Sequence, residues 1–214
     1  MKNRIKIILP LLLFTTSLPV FANDGDTYFS IGGGLSQPMS DQEEFGTVPQ
    51  VYWDREDGYM FRFALGMELS DMRGEFDVSY QTYDMKDRRT SFTTATPVSG
   101  NQTYLSALFN LIYDFKGGDG SVTPYLGAGA GFGLVSWNDV LISGSNNPVD
   151  DSDFVPAYQF FGGVNFDVSD DTTMGLEYRY YISDVITVSD SAGVTAEINR
   201  NGSYNLLLNV TNHF

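Results

Sequence analysis

Charged side chains recur at alternate positions within apolar stretches of this chain. Arg62 and Glu68 do so in GYMFRFALGMEL, and Glu177 and Arg179 do so in TMGLEYRYY. Alternation places such residues on one face of a β-strand and the apolar residues on the other. If that face is closed off from water, opposite charges must pair, because an unpaired buried charge has a large desolvation cost. The predicted inward-facing charge network comprises Arg62, Glu68, Arg73, Glu75, Asp77, Asp114, Glu177 and Arg179.

Residues suited to catalysis are scarce. The chain has no cysteine, which excludes thiolate chemistry and a disulfide framework. Its one histidine, His213, is next to the carboxy-terminal residue. Without a second histidine or a nucleophile beside it, no catalytic residues are predicted.

Two further motifs indicate neither a cofactor nor a metal. Gly127, Gly129 and Gly131 alternate within a strand-like stretch with no helical pattern after it, so they do not fit a dinucleotide-binding loop. Small inward residues here are expected to make room for bulky side chains from other strands. Asp150, Asp151 and Asp153 could ligate Ca²⁺, but their spacing matches no EF-hand. Solvated surface acids are the commoner explanation.

The amino-terminal stretch has the features of a secretory signal peptide. Lys2, Arg4 and Lys6 precede an apolar run over residues 7–13, and small residues end at Ala22. We therefore predict a cleaved signal peptide, residues 1–22, and one domain, residues 23–214. That domain keeps 9 basic against 27 acidic side chains, a net charge of −18. So negative a chain is not expected to bind nucleic acid.

Eight stretches of the mature chain alternate apolar and polar residues. They are residues 28–36, 58–69, 73–83, 103–115, 123–135, 157–168, 173–181 and 203–214. The connections between them alternate between long and short, with long polar stretches at 37–57, 84–101, 136–155 and 183–201. This order predicts an all-β, eight-stranded antiparallel up-and-down transmembrane β-barrel, with four long extracellular loops and three short periplasmic turns. The alternative is a secreted lipocalin-like barrel, and the charges on the polar face argue against it.

The last strand and two internal segments carry a resemblance to a known family. The strand alternates Tyr204, Leu206, Leu208 and Val210 and ends on Phe214. It resembles the closing strand that the barrel-assembly machinery recognises in outer-membrane barrels. TPYLGAGAGFG and AYQFFGGVNFDVSDDTTMGLEYRYY resemble the small eight-stranded barrels that include the OmpA membrane domain, the OmpX-type proteins and the neisserial opacity proteins.

The resemblance implies a location and partners. We expect a multi-pass barrel in the outer membrane after signal-peptide-dependent export. The expected partners are outer-membrane lipids including lipopolysaccharide, the barrel-assembly machinery, periplasmic chaperones, and a host or envelope protein ligand bound through the loops. Strand-end tyrosines are expected to form aromatic girdles facing lipid: Tyr59, Tyr83, Tyr104, Tyr125, Tyr180 and Tyr204.

Three functions remain open from the sequence. The first is a non-enzymatic envelope component whose acidic surface loops mediate interaction, as in an adhesin or surface antigen. The second is a narrow channel for ions or small solutes, gated by the inward charge pairs. The third is a lipid A-modifying enzyme, which the single histidine disfavours because it is expected at the periplasmic end.

Overall fold

The computed structural model describes residues 27–39, 41–43, 51–90, 95–116, 121–199 and 201–214. The predicted signal peptide, residues 1–22, lies outside these residues. Twelve β-strands are present in the described part of the chain, where no helix is long and apolar enough to cross a membrane. The strands are β1 (Thr27–Pro38), β2 (Asp41–Glu43), β3 (Val51–Arg55), β4 (Gly58–Leu69), β5 (Met72–Thr90), β6 (Thr96–Asp114), β7 (Val122–Ile142), β8 (Val149–Ser169), β9 (Thr172–Ser183), β10 (Ile186–Ser189), β11 (Thr195–Asn199) and β12 (Gly202–His213).

Eight of these strands close into a barrel. The hydrogen-bonded ring runs β1, β4, β5, β6, β7, β8, β9, β12 and back to β1, and every pair is antiparallel. The closing pair aligns Ile31 of β1 with Val210 of β12. The predicted eight-stranded antiparallel barrel is therefore confirmed, and the ring has no free strand edge.

The faces of the ring follow the alternation in the sequence. Large apolar side chains such as Phe61, Phe109 and Leu208 point outward and are about 60% exposed. Their neighbours in sequence, such as Arg62 and Asn110, point inward and are buried. The outer surface of the ring is thus an apolar band and its interior is largely polar.

The two ends of the barrel differ. We call the end with the short connections, including Ser70–Asp71 and Asp170–Asp171, the turn end. The opposite end is called the loop end. Strands β5 to β8 run for 19 to 21 residues and continue beyond the ring at the loop end, whereas β1 and β12 have 12 residues each. Much of the sequence expected to form long loops is therefore strand.

The projecting strands form a second β-structure, which we call the extension. It consists of β2, β3, β10 and β11 together with the loop-end parts of β5 to β8. The order β10–β11–β2–β3–β5 continues the sheet on one side. On the other side β10 lies against β8, joined by a single bridge between Val149 and Asp190.

Side-chain carboxylates fill the seam between β8 and β10. Thr187 donates its backbone N–H to Asp153 Oδ2 at 2.9 Å, and Ser189 donates its own to Asp151 Oδ2 at 2.9 Å. These carboxylates take the place of strand carbonyls, which satisfies two N–H groups at the edge of β10. Two of the three acids considered as Ca²⁺ ligands therefore have a structural role.

The extension has an apolar interior. Its core includes Trp53 of β3, Trp137 of β7, Val188 of β10 and Ile198 of β11, all 5% exposed or less. The rings of Trp53 and Trp137 meet edge to face with centroids 5.0 Å apart. Burial of these side chains holds together strands from four parts of the sequence.

The seam gives a first prediction. Replacing Asp151 or Asp153 by Ala removes the acceptor for the Ser189 or Thr187 amide, so that amide should exchange with solvent about tenfold faster. Hydrogen exchange followed by NMR in detergent micelles measures this. Asp150→Ala is the matched control, since Asp150 is exposed and accepts from neither amide. Equal rates in all three variants would contradict the role assigned to the seam.

Candidate functional site

The centre of the barrel holds a cluster of ion pairs, which we call the lumen network. Arg62 of β4 contacts Glu75 Oε1 at 2.5 Å and Asp77 Oδ2 at 2.7 Å, both on β5. Arg179 of β9 reaches Asp77 Oδ2 at 3.0 Å and Glu177 Oε1 at 2.9 Å. These five side chains are at most 3% exposed. Asp77 joins the two guanidinium groups into one continuous cluster.

Neutral side chains complete the hydrogen bonding of the lumen network. Asn110 Nδ2 donates to Glu75 Oε1 at 2.9 Å, and Gln159 Nε2 donates to Asn110 Oδ1 at 2.6 Å. Gln159 Oε1 accepts from Arg179 Nη1 at 2.9 Å. The network thus extends across strands β4, β5, β6, β8 and β9, and ties opposite walls of the barrel together.

A second ion pair lies nearer the turn end. Arg73 donates to Asp114 through Nε at 2.8 Å and Nη2 at 2.9 Å, a bidentate arrangement. Its guanidinium group lies over the rings of Tyr28 and Tyr125, 5.6 and 5.2 Å from their centroids. Tyr125 donates its hydroxyl to Glu177 at 2.9 Å, which connects this layer to the lumen network.

Glu68 lies outside the buried clusters. The register puts it opposite Arg73, as the sequence suggested, but Arg73 binds Asp114 instead. Glu68 is 3.9 Å from Lys116 Nζ and 3.5 Å from His213 Nδ1, with 30% of its side chain exposed. These residues line an open cavity of about 640 Å³ at the turn end, which we call the vestibule. Glu68 thus faces the barrel interior as predicted, but it belongs to the vestibule and not to the buried lumen network.

Arg55 is a buried cation that the sequence analysis missed, because it lies in a stretch expected to be loop. It donates to Gln102 Oε1 at 2.5 Å, to the Tyr104 hydroxyl at 2.7 Å and to the Met39 carbonyl at 2.6 Å. These bonds attach β3 to β6 and to the end of β1 at the loop end of the ring. The alternation of Val51, Trp53 and Arg55 was the available signal, since all three point inward.

The glycine-rich strand β7 provides the space that the interior needs. A Cβ on Gly127 would collide with the ring of Phe161, and one on Gly129 would collide with Asn110 Oδ1. Phe161 in turn lies 4.7 Å below the Arg179 guanidinium group. The small residues therefore allow large side chains to meet across a narrow lumen.

The expected aromatic girdle needs correction. Tyr83, Tyr104 and Tyr125 point inward and are at most 4% exposed. Tyr59 and Tyr204 point outward, 58% and 38% exposed. Tyr104 and Tyr125 are out of phase with their outward neighbours Leu105 and Leu126, so the alternation itself places them on the inner face.

The predicted assembly signal lies on the outer surface of β12. Tyr204, Leu206, Leu208 and Val210 face outward, and Phe214 is 60% exposed at the turn end. Phe214 donates its backbone N–H to the Thr27 carbonyl at 2.9 Å, which joins the two described ends of the ring. Recognition of these residues by an assembly machinery stays a prediction.

The arrangement is suited to holding charge rather than to coordinating a metal. No cluster of three or more His, Cys, Asp or Glu side chains among the described residues has the geometry of a metal site. The carboxylates of the lumen network are instead engaged by arginines and amides.

The chain is similar to known proteins in both sequence and fold. Its sequence matches the outer membrane protein beta-barrel domain family over residues 8–208. The chain belongs to this family. No curated protein matches its sequence. In this family of barrels the long connections face the cell exterior, so the loop end and its extension are extracellular and the turn end is periplasmic.

Solved structures share the fold at low sequence identity. Neisserial surface protein A (NspA) is 19% identical with a TM-score of 0.57, and the match covers 90% of this chain and all of NspA. The outer membrane protein OprG from Pseudomonas aeruginosa is 13% identical with a TM-score of 0.57, covering 90% and 99%. The outer membrane protease OmpT from Escherichia coli is 7% identical with a TM-score of 0.56, covering 88% and 96%. These likenesses support the barrel fold.

The lumen network gives a second prediction. Glu177→Gln removes the carboxylate beside Arg179 in a buried site, so the free energy of unfolding should fall by about 3–5 kcal/mol. Glu68→Gln, in the open vestibule, should lower the free energy of unfolding by less than about 1 kcal/mol. Urea unfolding of the mature protein in micelles, followed by tryptophan fluorescence, measures both. Equal losses would contradict the separation between network and vestibule.

Proposed function

We propose that this protein is a non-enzymatic, non-conducting outer-membrane barrel that uses its extracellular extension as an interaction surface. The observation that carries the proposal is that buried side chains occupy the described interior of the ring, with the apolar core of the extension beyond them. A surface role is the function that such a filled barrel supports best.

The buried side chains form three layers. The vestibule ends at the Arg73–Asp114 pair. Beyond it lies the lumen network, in which Arg62 and Arg179 are held by three carboxylates. The apolar core of the extension follows, with Trp53 and Trp137 at its centre. An ion would have to break charged hydrogen bonds and then cross an apolar layer, both at high cost.

The non-enzymatic part rests on the position of the chain's one histidine. His213 lies at the periplasmic end beside Glu68, far along the barrel from the extracellular rim. OmpT is a protease with the same fold, but at 7% identity it supports the fold alone. Mass spectrometry of lipid A from cells that express this protein should match that from cells without it. A new lipid A species would overturn this part of the proposal.

The interaction surface is acidic. Exposed carboxylates on the extension and its rim include Glu56, Asp57, Asp84, Asp150 and Glu197. Such a surface favours a partner with a basic face, on a host or envelope protein, and like-charge repulsion disfavours acidic ones. Lipopolysaccharide phosphates would need a divalent cation to bridge them to these acids.

Single-channel recording gives the third prediction. The refolded mature protein in a planar bilayer should show no steady openings, and Glu177→Ala should stay silent because the extension core still blocks the path. Glu68→Ala, in the vestibule, is the matched control. Heat-modifiable migration on a gel verifies that each variant is folded. Steady openings whose conductance changes in Glu177→Ala would establish the channel function instead.

A further inference from the structure

The outer face of the ring has a shallow groove at its extracellular rim, with a volume of about 280 Å³. We call it the rim groove. It crosses strands β9, β12 and β1, which end at the ring and do not continue into the extension. Six exposed side chains line it: Leu35, Gln37, Asp57, Tyr178, Tyr204 and Leu206. The lumen network lies on the other side of the barrel wall, so the rim groove is a separate feature.

The rim groove changes from apolar to polar towards the extracellular side. Strand register puts Leu35 beside Leu206, and Leu206 beside Tyr178. The next outward-facing pair towards the loop end is Gln37 beside Tyr204. The groove therefore spans the boundary between the apolar band, which lipid covers, and the water above it. A molecule that fits the groove has an apolar part and a polar part, as a membrane lipid has.

Tyrosine rings form one side of the rim groove. The rings of Tyr178 and Tyr204 are nearly parallel, with an angle of 13° between them and centroids 6.2 Å apart. The ring of Tyr180 adjoins them, 5.3 Å from that of Tyr204. Tyr178 is 56% exposed and Tyr204 is 38% exposed, so both present surface to a neighbouring molecule. Each combines an apolar ring with a hydroxyl group that donates and accepts hydrogen bonds, which suits the head-group region of a membrane.

The polar groups of the rim groove fit hydroxyl groups better than phosphate. The Asp57 carboxylate accepts hydrogen bonds and repels anions, and the Gln37 amide both donates and accepts. Among the described residues that line the groove there is no lysine or arginine to bind a phosphate. A sugar complements this lining, because its hydroxyl groups donate to a carboxylate and its ring can pack against tyrosine.

We propose that the rim groove binds one glycolipid of the outer leaflet, the lipid A part of lipopolysaccharide, through its sugar and one acyl chain. The acyl chain packs against Leu35 and Leu206. The sugar ring lies against Tyr178 and Tyr204, its hydroxyl groups donate to Asp57, and its phosphates face away from that carboxylate. This binding is independent of the proposed surface role, because it concerns the membrane face of the ring and not the extension.

Native mass spectrometry tests the proposal, because it counts the lipids that stay bound to the refolded mature protein. The probe is lipid A mixed with an equal amount of phosphatidylethanolamine, which has acyl chains but no sugar. The wild type should retain one lipid A molecule, in preference to phosphatidylethanolamine by about tenfold. Equal retention of the two lipids would overturn the proposal.

A double variant tests the tyrosine rings. Tyr178→Leu with Tyr204→Leu keeps an apolar outer face, so the barrel should fold, but the preference for lipid A should disappear. Tyr80→Leu is the matched control, since Tyr80 points outward on β5, is 42% exposed and does not line the groove. The same loss in Tyr80→Leu would assign the preference to outward tyrosines in general and overturn the proposal. Heat-modifiable migration verifies the fold of each variant.

A further variant separates recognition of the sugar from recognition of phosphate. Asp57→Asn removes the charge that strengthens a hydrogen bond from a sugar hydroxyl group, so retention of lipid A should fall several-fold. If a phosphate lay beside Asp57, the loss of repulsion would strengthen binding instead. Unchanged or stronger retention would therefore overturn the proposal. Glu56→Gln is the matched control, since Glu56 is an exposed neighbour that does not line the groove.

Discussion

The structure depends on one constraint: a charge inside a narrow closed barrel must meet an opposite charge. Removal of one partner from a buried pair leaves a charge without water or counter-ion, at a cost of about 3–5 kcal/mol. Asp77 shows how the constraint is met, because it contacts Arg62 from β4 and Arg179 from β9 at once. The two arginines are far apart in sequence, so these contacts form only when the ring has closed. The ion pairs therefore select the closed barrel over open or slipped arrangements of the same strands.

The strands that enter the extension carry their apolar side chains on opposite faces at their two ends, because the surroundings change along each strand. Within the ring, β7 points Leu126 and Phe132 outward at more than 50% exposure. In the extension the same strand points Val135 and Trp137 inward, both at most 1% exposed. Lipid surrounds the ring and water surrounds the extension, so the apolar face changes sides although the alternation continues. A single strand of alternating residues thus contributes to two structures. One is a membrane barrel with a polar interior, and the other is an extension in water with an apolar interior.

This change of sides explains which features the sequence predicts. Outward apolar alternation identifies the eight ring strands and their phase, as at Phe109 and Leu111 of β6. It does not identify the extension, where an inward Trp53 between polar neighbours looks like part of a polar loop. Nor does register predict ion pairing: Glu68 is opposite Arg73 on the sheet, yet Arg73 binds Asp114 on the next strand. Long inward side chains reach residues one or two positions away along the same or the next strand, and Arg179 reaches Asp77 across the narrow lumen. Their partners therefore depend on three-dimensional packing as well as on strand register.

The arginines of the ring and of the extension differ in their surroundings and in their partners. Arg62, Arg73 and Arg179 each have a carboxylate within 3 Å inside the ring, where no ligand is needed to neutralise them. Arg88 lies in the extension, outside the membrane, where its half-buried side chain places the guanidinium group 5.4 Å from the centroid of the Trp53 ring. Arg55, which is buried at the base of the extension, has protein acceptors in Gln102 and Tyr104. Among these arginines, protein acceptors are thus found where water is excluded, and the one without an acceptor in the described part of the chain is the one that water can reach.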